Sequence, residues 1–359
     1  MNEEQRATIA AVRERLRSQP RVRLAALPTP LDDCTRLTAE LGGPRILIKR
    51  DDLTGLAFGG NKVRQHEYVL GRAVAEGADC LVQGSAAQSN HSRQLAAAGA
   101  KLGLETFLLP KLDAHSDPVQ GNYLVDHLLG ATIIPIGAGE STIAAKAALV
   151  DRLRAEGRHP YVTGMGADEA LALAAVAYVE ALFELVEQMT DPLQLDAIYT
   201  ASQGSTQAGL LIGCELLGLS TRVVGVSPLG PDHEAHIPLD EVVALVHRAA
   251  EILGVTTQIG RDDIELRFDF VGDGYGIPSN DGLDAIALLG RLEGTLLDPI
   301  YTGKAFAGLV ADIRAGRIDH GKTVVFLHTG GLPALFAYAQ PVIGHVRDTR
   351  AVSCTNDHD

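Results

Sequence analysis

The stretch Phe58-Gly59-Gly60-Asn61-Lys62-Val63-Arg64 decides which fold and chemistry we expect of this chain. It follows an apolar run at 46–48, which is typical of a buried strand, and it leads into a predicted helix over 63–75. The two glycines allow a tight turn and a close approach of the backbone to a ligand. Lys62 then stands at a helix start beside Arg64, where a positive field would favour its neutral amine. A neutral amine is what a Schiff base with an aldehyde cofactor requires, but an ordinary surface lysine after a glycine turn would look the same.

The composition is that of a globular enzyme of roughly two domains. Of the 359 residues, 46% are hydrophobic and 21% are charged, and the formal net charge is −14. This charge, with no basic cluster to offset it, argues against a nucleic-acid partner. No apolar run is long enough to cross a membrane, and residues 1–18 resemble an amphipathic helix and not a secretory signal. The four cysteines form no Cys-x-x-Cys pair, so we expect no disulfide framework, no metal site and a cytoplasmic location.

Strand and helix signals alternate along the chain, which is typical of a parallel sheet covered by helices. The segment 167–189 is predicted to be one long helix, and its apolar residues between Leu171 and Val179 point in almost every direction. We interpret it as the return from an inserted domain. We therefore expect a large domain over 1–64 and 173–359 and a small α/β domain over 65–172. The strands are predicted at 45–49, 80–84, 106–109, 131–136, 197–199, 223–227 and 323–328.

Three loops that follow predicted strands carry small or polar residues, and such loops gather at the carboxyl edge of a parallel sheet. Ser89-Asn90-His91 begins a helix, so its amides could hold a carboxylate, or Ser89 or Asn90 could simply cap that helix. The run Ser-Gln-Gly-Ser-Thr-Gln-Ala-Gly over 202–209 suits a phosphate monoester, or it is an ordinary turn between strand and helix. The third loop is Thr329-Gly330-Gly331, after a strand that ends at His328.

Taken together, a nucleophilic lysine, a carboxylate site and a phosphate site describe one kind of ligand. Pyridoxal phosphate has the aldehyde and the phosphate, and an amino acid joined to it supplies the carboxylate. A nicotinamide-dependent oxidoreductase is the competing class. Its dinucleotide fingerprint is absent, because the Gly137-Ala138-Gly139 run is followed by Thr142 where a third glycine is required.

From about Leu27 to Tyr338 the chain resembles the pyridoxal-phosphate enzymes that include 1-aminocyclopropane-1-carboxylate deaminase and D-cysteine desulfhydrase. The resemblance implies the tryptophan-synthase β-like fold, known as fold type II. This fold has two open, twisted parallel-sheet domains with helices on both faces, usually in a homodimer that acts on a small amino acid. The motifs that carry it are Ile48-Lys49-Arg50-Asp51-Asp52-Leu53-Thr54-Gly55, Gly59-Gly60-Asn61-Lys62, Gln88-Ser89-Asn90-His91, Gly204-Ser205-Thr206-Gln207-Ala208-Gly209, Leu292-Glu293-Gly294, Asp298-Pro299-Ile300-Tyr301 and His328-Thr329-Gly330-Gly331.

The resemblance also implies roles for individual residues. Lys62 carries the Schiff base, for which Lys304 is the obvious competitor, and Asn90 contacts the phenolic oxygen of the cofactor. Several residues bind the phosphate, and several others bind the substrate. Gly204, Ser205 and Thr206 hold the phosphate, and Ser89 with Asn90 and His91 takes the substrate carboxylate. Tyr275 and Tyr301 line the substrate side, and these two tyrosines with Lys62 and Ser89 are the catalytic residues.

Two threonines bear on the choice within the family. The deaminase has a glutamate facing the pyridine nitrogen where this chain has Thr302, and an apolar residue where it has Thr329. Both threonines, and His91, resemble the D-cysteine desulfhydrase pattern. The resemblance implies that Thr302 and Thr329 are cofactor-binding residues, with Thr302 hydrogen-bonded to the ring nitrogen and Thr329 beside the substrate or the ring. Since a carboxylate keeps the ring nitrogen protonated, a hydroxyl there would leave a weaker electron sink, which suffices when a good leaving group departs. Gln65 departs from the family, which often has a basic residue at that position.

Elimination of hydrogen sulfide from D-cysteine is therefore the favoured hypothesis. Ring-opening deamination of the cyclopropane amino acid is the alternative, and an elimination like that of the related L-cysteate sulfo-lyase is another. A carrier of pyridoxal phosphate with a decayed substrate site is a fourth hypothesis, which the intact loops argue against.

Overall fold

A computed structural model describes residues 1–202 and 204–356 and the side chains up to Arg347, so Gln203 and the side chain of Cys354 lie outside the described part. The helices are α1 Glu3–Arg17, α2 Thr35–Leu41, α3 Asn61–Ala75, α4 Asn90–Leu102, α5 Gly121–Leu128, α6 Thr142–Ala155, α7 Asp168–Gln188, α8 Ser205–Leu216, α9 Leu239–Leu253, α10 Asn280–Glu293, α11 Thr302–Arg314, α12 Leu332–Ala337 and α13 Ala339–Asn356. The strands are β1 Leu31–Asp33, β2 Arg45–Lys49, β3 Cys80–Ala86, β4 Glu105–Lys111, β5 Thr132–Ile133, β6 Pro160–Val162, β7 Leu195–Thr200, β8 Arg222–Val226, β9 Glu265–Arg267 and β10 Thr323–Leu327.

The larger sheet has six strands in the order β1-β2-β10-β7-β8-β9, and only β1 runs antiparallel to its neighbour. Its centre is apolar on both faces: Val325 of β10 packs in the core that contains α7, and Phe326 packs in the core that contains α11. A parallel strand buried on both faces reads as a continuous apolar run, which is why the sequence predicted it. The predicted α/β class, with helices on both faces of a parallel sheet, is confirmed.

The smaller sheet has four parallel strands in the order β5-β4-β3-β6, between residues 80 and 162. The predicted boundaries of the small domain, after residues 64 and 172, fall inside α3 and α7. Both helices belong to one apolar core that also receives Leu81 of the smaller sheet and Leu327 of the larger. The assignment of 65–172 to a separate domain stays a prediction.

Short strands were the elements that the sequence did not predict. β1, β6 and β9 have three residues each, and β1 contains two aspartates, which are poor strand formers. The strand predicted over 131–136 is regular only at β5, since Pro135 has no amide hydrogen for the ladder.

The long predicted helix is present as α7, and its interior position brings a second helix close to it. A Cβ on Gly209 of α8 would lie 2.1 Å from the carbonyl oxygen of Ala175 in α7. Only glycine allows the two helices to approach this closely, and the contact positions the start of α8 after the loop that follows β7.

Two observations concern the rest of the described chain. Cys34, Cys80 and Cys214 are buried free thiols. No helix in the described ranges combines the length and the apolar character that crossing a bilayer demands.

Candidate active site

The turn before α3 adopts a backbone that few residues tolerate. Residues Ala57, Phe58, Gly59 and Gly60 have φ angles of 42°, 68°, 66° and 127°. A Cβ on Gly59 would lie 2.0 Å from the carbonyl oxygen of Asp52, and one on Gly60 would lie 2.5 Å from a side-chain nitrogen of another helix. Both positions therefore require glycine. Helix α3 begins at Asn61, two residues earlier than the sequence predicted, so Lys62 lies within its first turn.

Lys62 reaches a cavity of about 1460 Å³ whose lining also includes Ser89, His91, Tyr275 and Tyr301. Burial lowers the pKa of Lys62 to about 8. The expectation that Arg64 supplies a positive field was wrong, because its guanidinium turns away from the cavity and pairs with two carboxylates. Those carboxylates are Asp51, at 2.9 Å, and Glu184, at 2.7 Å.

Lys304, the competing lysine, is fully buried and its ammonium group is already bound. It donates to the carbonyl oxygens of Val271, at 2.7 Å, and Gly274, at 2.9 Å. In contrast, the Lys62 amine makes no hydrogen bond with any residue in the described ranges. Of the two lysines, Lys62 has the nitrogen that is available for reaction at the cavity.

The loop before α4 caps its helix and also faces the cavity, while its predicted contact with a carboxylate stays a prediction. Ser89 caps the helix, because its hydroxyl accepts a hydrogen bond from the Ser92 amide at 3.2 Å, and it also lines the cavity. His91 follows in the first turn, with its Nδ1 3.3 Å from Gln83 Nε2. Burial lowers the pKa of His91 well below its usual value, so the imidazole is neutral at neutral pH. A neutral imidazole beside free helix amides suits an anionic group.

The predicted phosphate loop is joined to the start of α3 by Thr206. The Thr206 hydroxyl accepts hydrogen bonds from Asn61 Nδ2, at 3.1 Å, and Gln65 Nε2, at 3.0 Å. With both acceptor positions used, its own proton remains to be donated. The Ser205 hydroxyl differs from expectation because it donates to the carbonyl oxygen of Leu171 at 2.9 Å, which leaves its amide for a ligand.

Tyr275 and Tyr301 meet with their hydroxyl oxygens 2.5 Å apart at the cavity wall. Burial raises the pKa of both phenols, and of Tyr301 well above its usual value, so both are protonated near neutral pH. The ring of His233, for which the sequence gave no pattern, lies 5.0 Å from the Tyr275 ring. The pair can share and donate protons to a sulfur or oxygen atom in the cavity.

The two threonines that distinguish the subfamilies have different surroundings. Thr302 is fully buried, and its hydroxyl donates to Asp298 Oδ2 at 2.7 Å while it accepts from the Asp298 amide at 2.9 Å. Its single proton is therefore donated to Asp298, and the predicted contact of Thr302 with a ring nitrogen stays a prediction. Thr329 lies at the end of β10, where its carbonyl oxygen accepts from the Asn61 amide at 3.0 Å and its hydroxyl has no partner among the described residues.

Asn90 is held through contacts that the sequence did not reveal. Its side-chain oxygen accepts from Asn122 Nδ2 at 2.9 Å, and Asn122 Oδ1 accepts from Arg93 at 2.7 Å. Arg93 stands two residues after the quoted Gln88-Ser89-Asn90-His91 motif, one helical turn beyond Asn90, and this spacing could have pointed to it. Asn122 stands in no recognisable motif, so only the fold identifies it.

Comparison with protein families agrees with this geometry. The model of the family described as "Pyridoxal-phosphate dependent enzyme" matches residues 22–330. The chain belongs to this family. Two curated relatives, the D-cysteine desulfhydrases of Salmonella typhi and Salmonella newport (strain SL254), are each 40% identical to this enzyme over 324 residues, 89% of this chain and 96% of theirs.

Solved structures of similar proteins place this pyridoxal-phosphate enzyme in the expected fold. A crystal structure described as an ACC deaminase homologue superposes with a TM-score of 0.83 and 32% identity, covering 96% of this chain and 100% of that one. The processed form of threonine deaminase isoform 2 from Solanum lycopersicum, 16% identical with a TM-score of 0.62, covers 96% of this chain and 89% of its own and shares the fold. The predicted fold class and the predicted cofactor are confirmed.

The residues of the site suit the cofactor of the family. An amine with a lowered pKa and no hydrogen-bond partner among the described residues is available to its aldehyde. The amides of Ser205 and Thr206, in the first turn of α8, and the Thr206 hydroxyl proton, which remains to be donated, suit its phosphate. The roles of individual residues stay predictions.

Proposed function

We propose that this enzyme eliminates hydrogen sulfide from D-cysteine, with pyruvate and ammonia as the other products. The observation that carries the proposal is the arrangement of the Lys62 amine and the Tyr275–Tyr301 hydroxyl pair in one cavity, since it offers a base and a proton donor. The relatives named D-cysteine desulfhydrase, 40% identical over most of both chains, support the choice of substrate.

Binding and proton transfer are divided among the residues of the cavity. When bound, pyridoxal phosphate supplies an electron sink for the pair released at the α carbon. The helix start at Ser89 to His91 holds the substrate carboxylate. Lys62, once its nitrogen is free, removes the α proton, because its pKa near 8 allows a neutral amine at working pH.

The two tyrosines protonate the leaving sulfur. The Tyr275–Tyr301 pair donates a proton as the carbon–sulfur bond breaks, so that hydrogen sulfide and not a bare anion leaves. Water then hydrolyses the remaining three-carbon fragment to pyruvate and ammonia. Burial keeps both phenols protonated, which this role requires.

Thr329 is the hydroxyl that we assign to the ring nitrogen of the cofactor. Its side chain has no hydrogen-bond partner in the described ranges, whereas the Thr302 proton is bound to Asp298. Neither position has a carboxylate, which favours elimination over a reaction that needs a long-lived carbanion.

The second candidate function is ring opening of 1-aminocyclopropane-1-carboxylate, which the similarity to an ACC deaminase homologue over the whole of that chain favours. The test is to assay the purified enzyme on D-cysteine, L-cysteine, L-cysteate and the cyclopropane acid, measuring 2-oxo acid, sulfide and ammonia. We expect sulfide and pyruvate from D-cysteine and little or no product from the cyclopropane acid. The opposite pattern would overturn the assignment, and turnover of none would favour a carrier.

Assembly and location complete the proposal. We propose a homodimer in the cytoplasm, with 65–172 as a small inserted domain. The exposed apolar side chains of Phe58, at 59%, and Phe336, at 62%, support self-association, because large exposed apolar groups often mark an interface. Sedimentation of the holoenzyme at several concentrations would test the dimer.

A further inference from the structure

Arg93 is a fully buried guanidinium beside the strained turn before Lys62. It donates to the carbonyl oxygens of Ala57 and of Gly59, the latter at 3.1 Å, and its Nε donates to Asn122 Oδ1 at 2.7 Å. A guanidinium has only donors, so the atom of Asn122 that it meets must be the amide oxygen.

That constraint passes from Asn122 to Asn90. Since Asn122 uses its oxygen on Arg93, its nitrogen must face Asn90, where it donates to Oδ1 at 2.9 Å and also to the carbonyl oxygen of Gln88 at 2.8 Å. A guanidinium nitrogen of Arg93 lies 3.5 Å from the same Asn90 oxygen. Two donors thus hold the oxygen of Asn90, and its amide nitrogen must point away from them. Among the described residues this nitrogen donates no hydrogen bond.

We propose that Arg93 and Asn122 are positioning residues that fix the side-chain amide of Asn90 with its N–H toward the phenolic oxygen of the cofactor. This inference rests on the proposed contact between Asn90 and that oxygen. Without the two donors the amide could rotate and present its oxygen, which would repel the phenolate. With them, the donor orientation exists before the cofactor arrives, so binding costs no reorientation.

The orientation has a spectroscopic consequence. A hydrogen bond to the phenolate stabilises the deprotonated form of the cofactor chromophore and so lowers its pKa. Losing that bond should raise the pH midpoint at which the visible absorption of the holoenzyme changes. The midpoint reports the bond without depending on turnover.

The experiment compares these midpoints in Asn90→Ala, in Asn122→Asp and in the double variant. An aspartate at 122 still accepts from Arg93 but cannot donate to Asn90, so the amide should turn over. We expect Asn90→Ala and Asn122→Asp each to raise the midpoint by about one unit, and the double variant to go no further than Asn90→Ala. A midpoint unchanged in Asn122→Asp but raised in Asn90→Ala overturns the inference, as does an additive double variant, because the new charge would then act directly.

A second pair of variants covers the case in which Asn122→Asp does not fold. Arg93→Lys and Arg93→Gln lose similar contacts with the turn, but lysine still has only donors, whereas glutamine can present either atom. We expect the midpoint to rise in Arg93→Gln and to stay near that of the unmodified enzyme in Arg93→Lys, and equal midpoints would overturn the inference. If Asn90→Ala leaves the midpoint unchanged, the proposed contact of Asn90 itself fails, which is a different result.

Discussion

Two helix starts in this protein carry a lysine in nearly the same setting. Lys62 is in the first turn of α3 and Lys304 is in the first turn of α11, and burial lowers the pKa of each to about 8. They differ in their hydrogen bonds: two backbone carbonyls hold the Lys304 ammonium, whereas the Lys62 amine faces the cavity. A lowered pKa alone therefore does not identify a nucleophile. The two lysines differ in that Lys304 is held by two acceptors, whereas the Lys62 amine has none among the described residues.

The backbone before each helix differs as well. Before α3, four residues in left-handed conformation fold the turn away from Lys62 and leave its side chain at the cavity. Before α11, the carboxylate of Asp298 accepts from the amides of Ile300, at 2.9 Å, and Tyr301, at 2.8 Å, and caps the chain. The strained turn precedes the lysine that we propose as the nucleophile, and the capped turn precedes the lysine that is held by backbone carbonyls.

The largest expected effect is the loss of activity on replacing Lys62. Lys62→Ala should lower activity by at least about a thousandfold, since it removes both the attachment point and the base. Borohydride reduction of the unmodified holoenzyme, followed by peptide mapping, should place the pyridoxyl group on Lys62. A pyridoxyl label on Lys304 would mean that Lys304, and not Lys62, is the nucleophile.

Lys304→Met should act on stability. The methionine has nearly the same length but leaves the carbonyl oxygens of Val271 and Gly274 unpaired, which costs about 2–4 kcal/mol of unfolding free energy. Urea unfolding of the cofactor-free protein measures this loss, and Lys62→Met serves as the matched control with little effect. Borohydride should still label Lys62 in the Lys304→Met variant. Failure to label there, in a protein that remains folded, would show a chemical role for Lys304.

The sequence predicted one side of this comparison and not the other. The pattern of two glycines before a helix is local, so it predicted the start of the helix that carries Lys62 to within two residues. The partners of Lys304 lie 33 and 30 residues earlier in the chain, and Arg93 meets Asn122 across 29 residues. Such contacts depend on how α11 packs against a distant loop, which no local pattern encodes. Thr302 is a different case, because its partner Asp298 lies only four residues earlier, so this hydrogen bond is part of a local capping pattern that the sequence analysis overlooked.

The pH dependence of cofactor capture sharpens the comparison further. Only the neutral amine attacks an aldehyde, and the pKa of Lys62 in the cofactor-free enzyme is about 8. The bimolecular rate of capture should therefore rise about tenfold between pH 7 and pH 9 and then level off. Stopped-flow absorbance on the cofactor-free enzyme measures this rate, and Lys304→Met provides the control. A profile that keeps rising toward pH 10.5 would mean that Lys62 is not desolvated.

The smallest effect concerns Gln65, the position where the family often has a basic residue. Gln65 lies one helical turn after Lys62 and donates to Thr206 Oγ1 at 3.0 Å, whereas Ala307 occupies the corresponding position after Lys304. If this neutral amide orients the Thr206 hydroxyl toward the phosphate, Gln65→Leu should weaken pyridoxal phosphate binding by about 0.5–1.5 kcal/mol, or roughly 2- to 10-fold. Gln65→Lys should tighten it, since a cation beside the phosphate adds a charge-assisted contact. Equilibrium dialysis with pyridoxal phosphate measures both, and pyridoxal without the phosphate is the control ligand, whose affinity should not change. The double variant is the second control. Thr206→Val by itself should weaken pyridoxal phosphate binding by about 1–3 kcal/mol, and adding Gln65→Leu to it should weaken binding no further. Equal losses for the two ligands, or additive losses in the double variant, would show that Gln65 acts on the fold and not through the Thr206 hydroxyl.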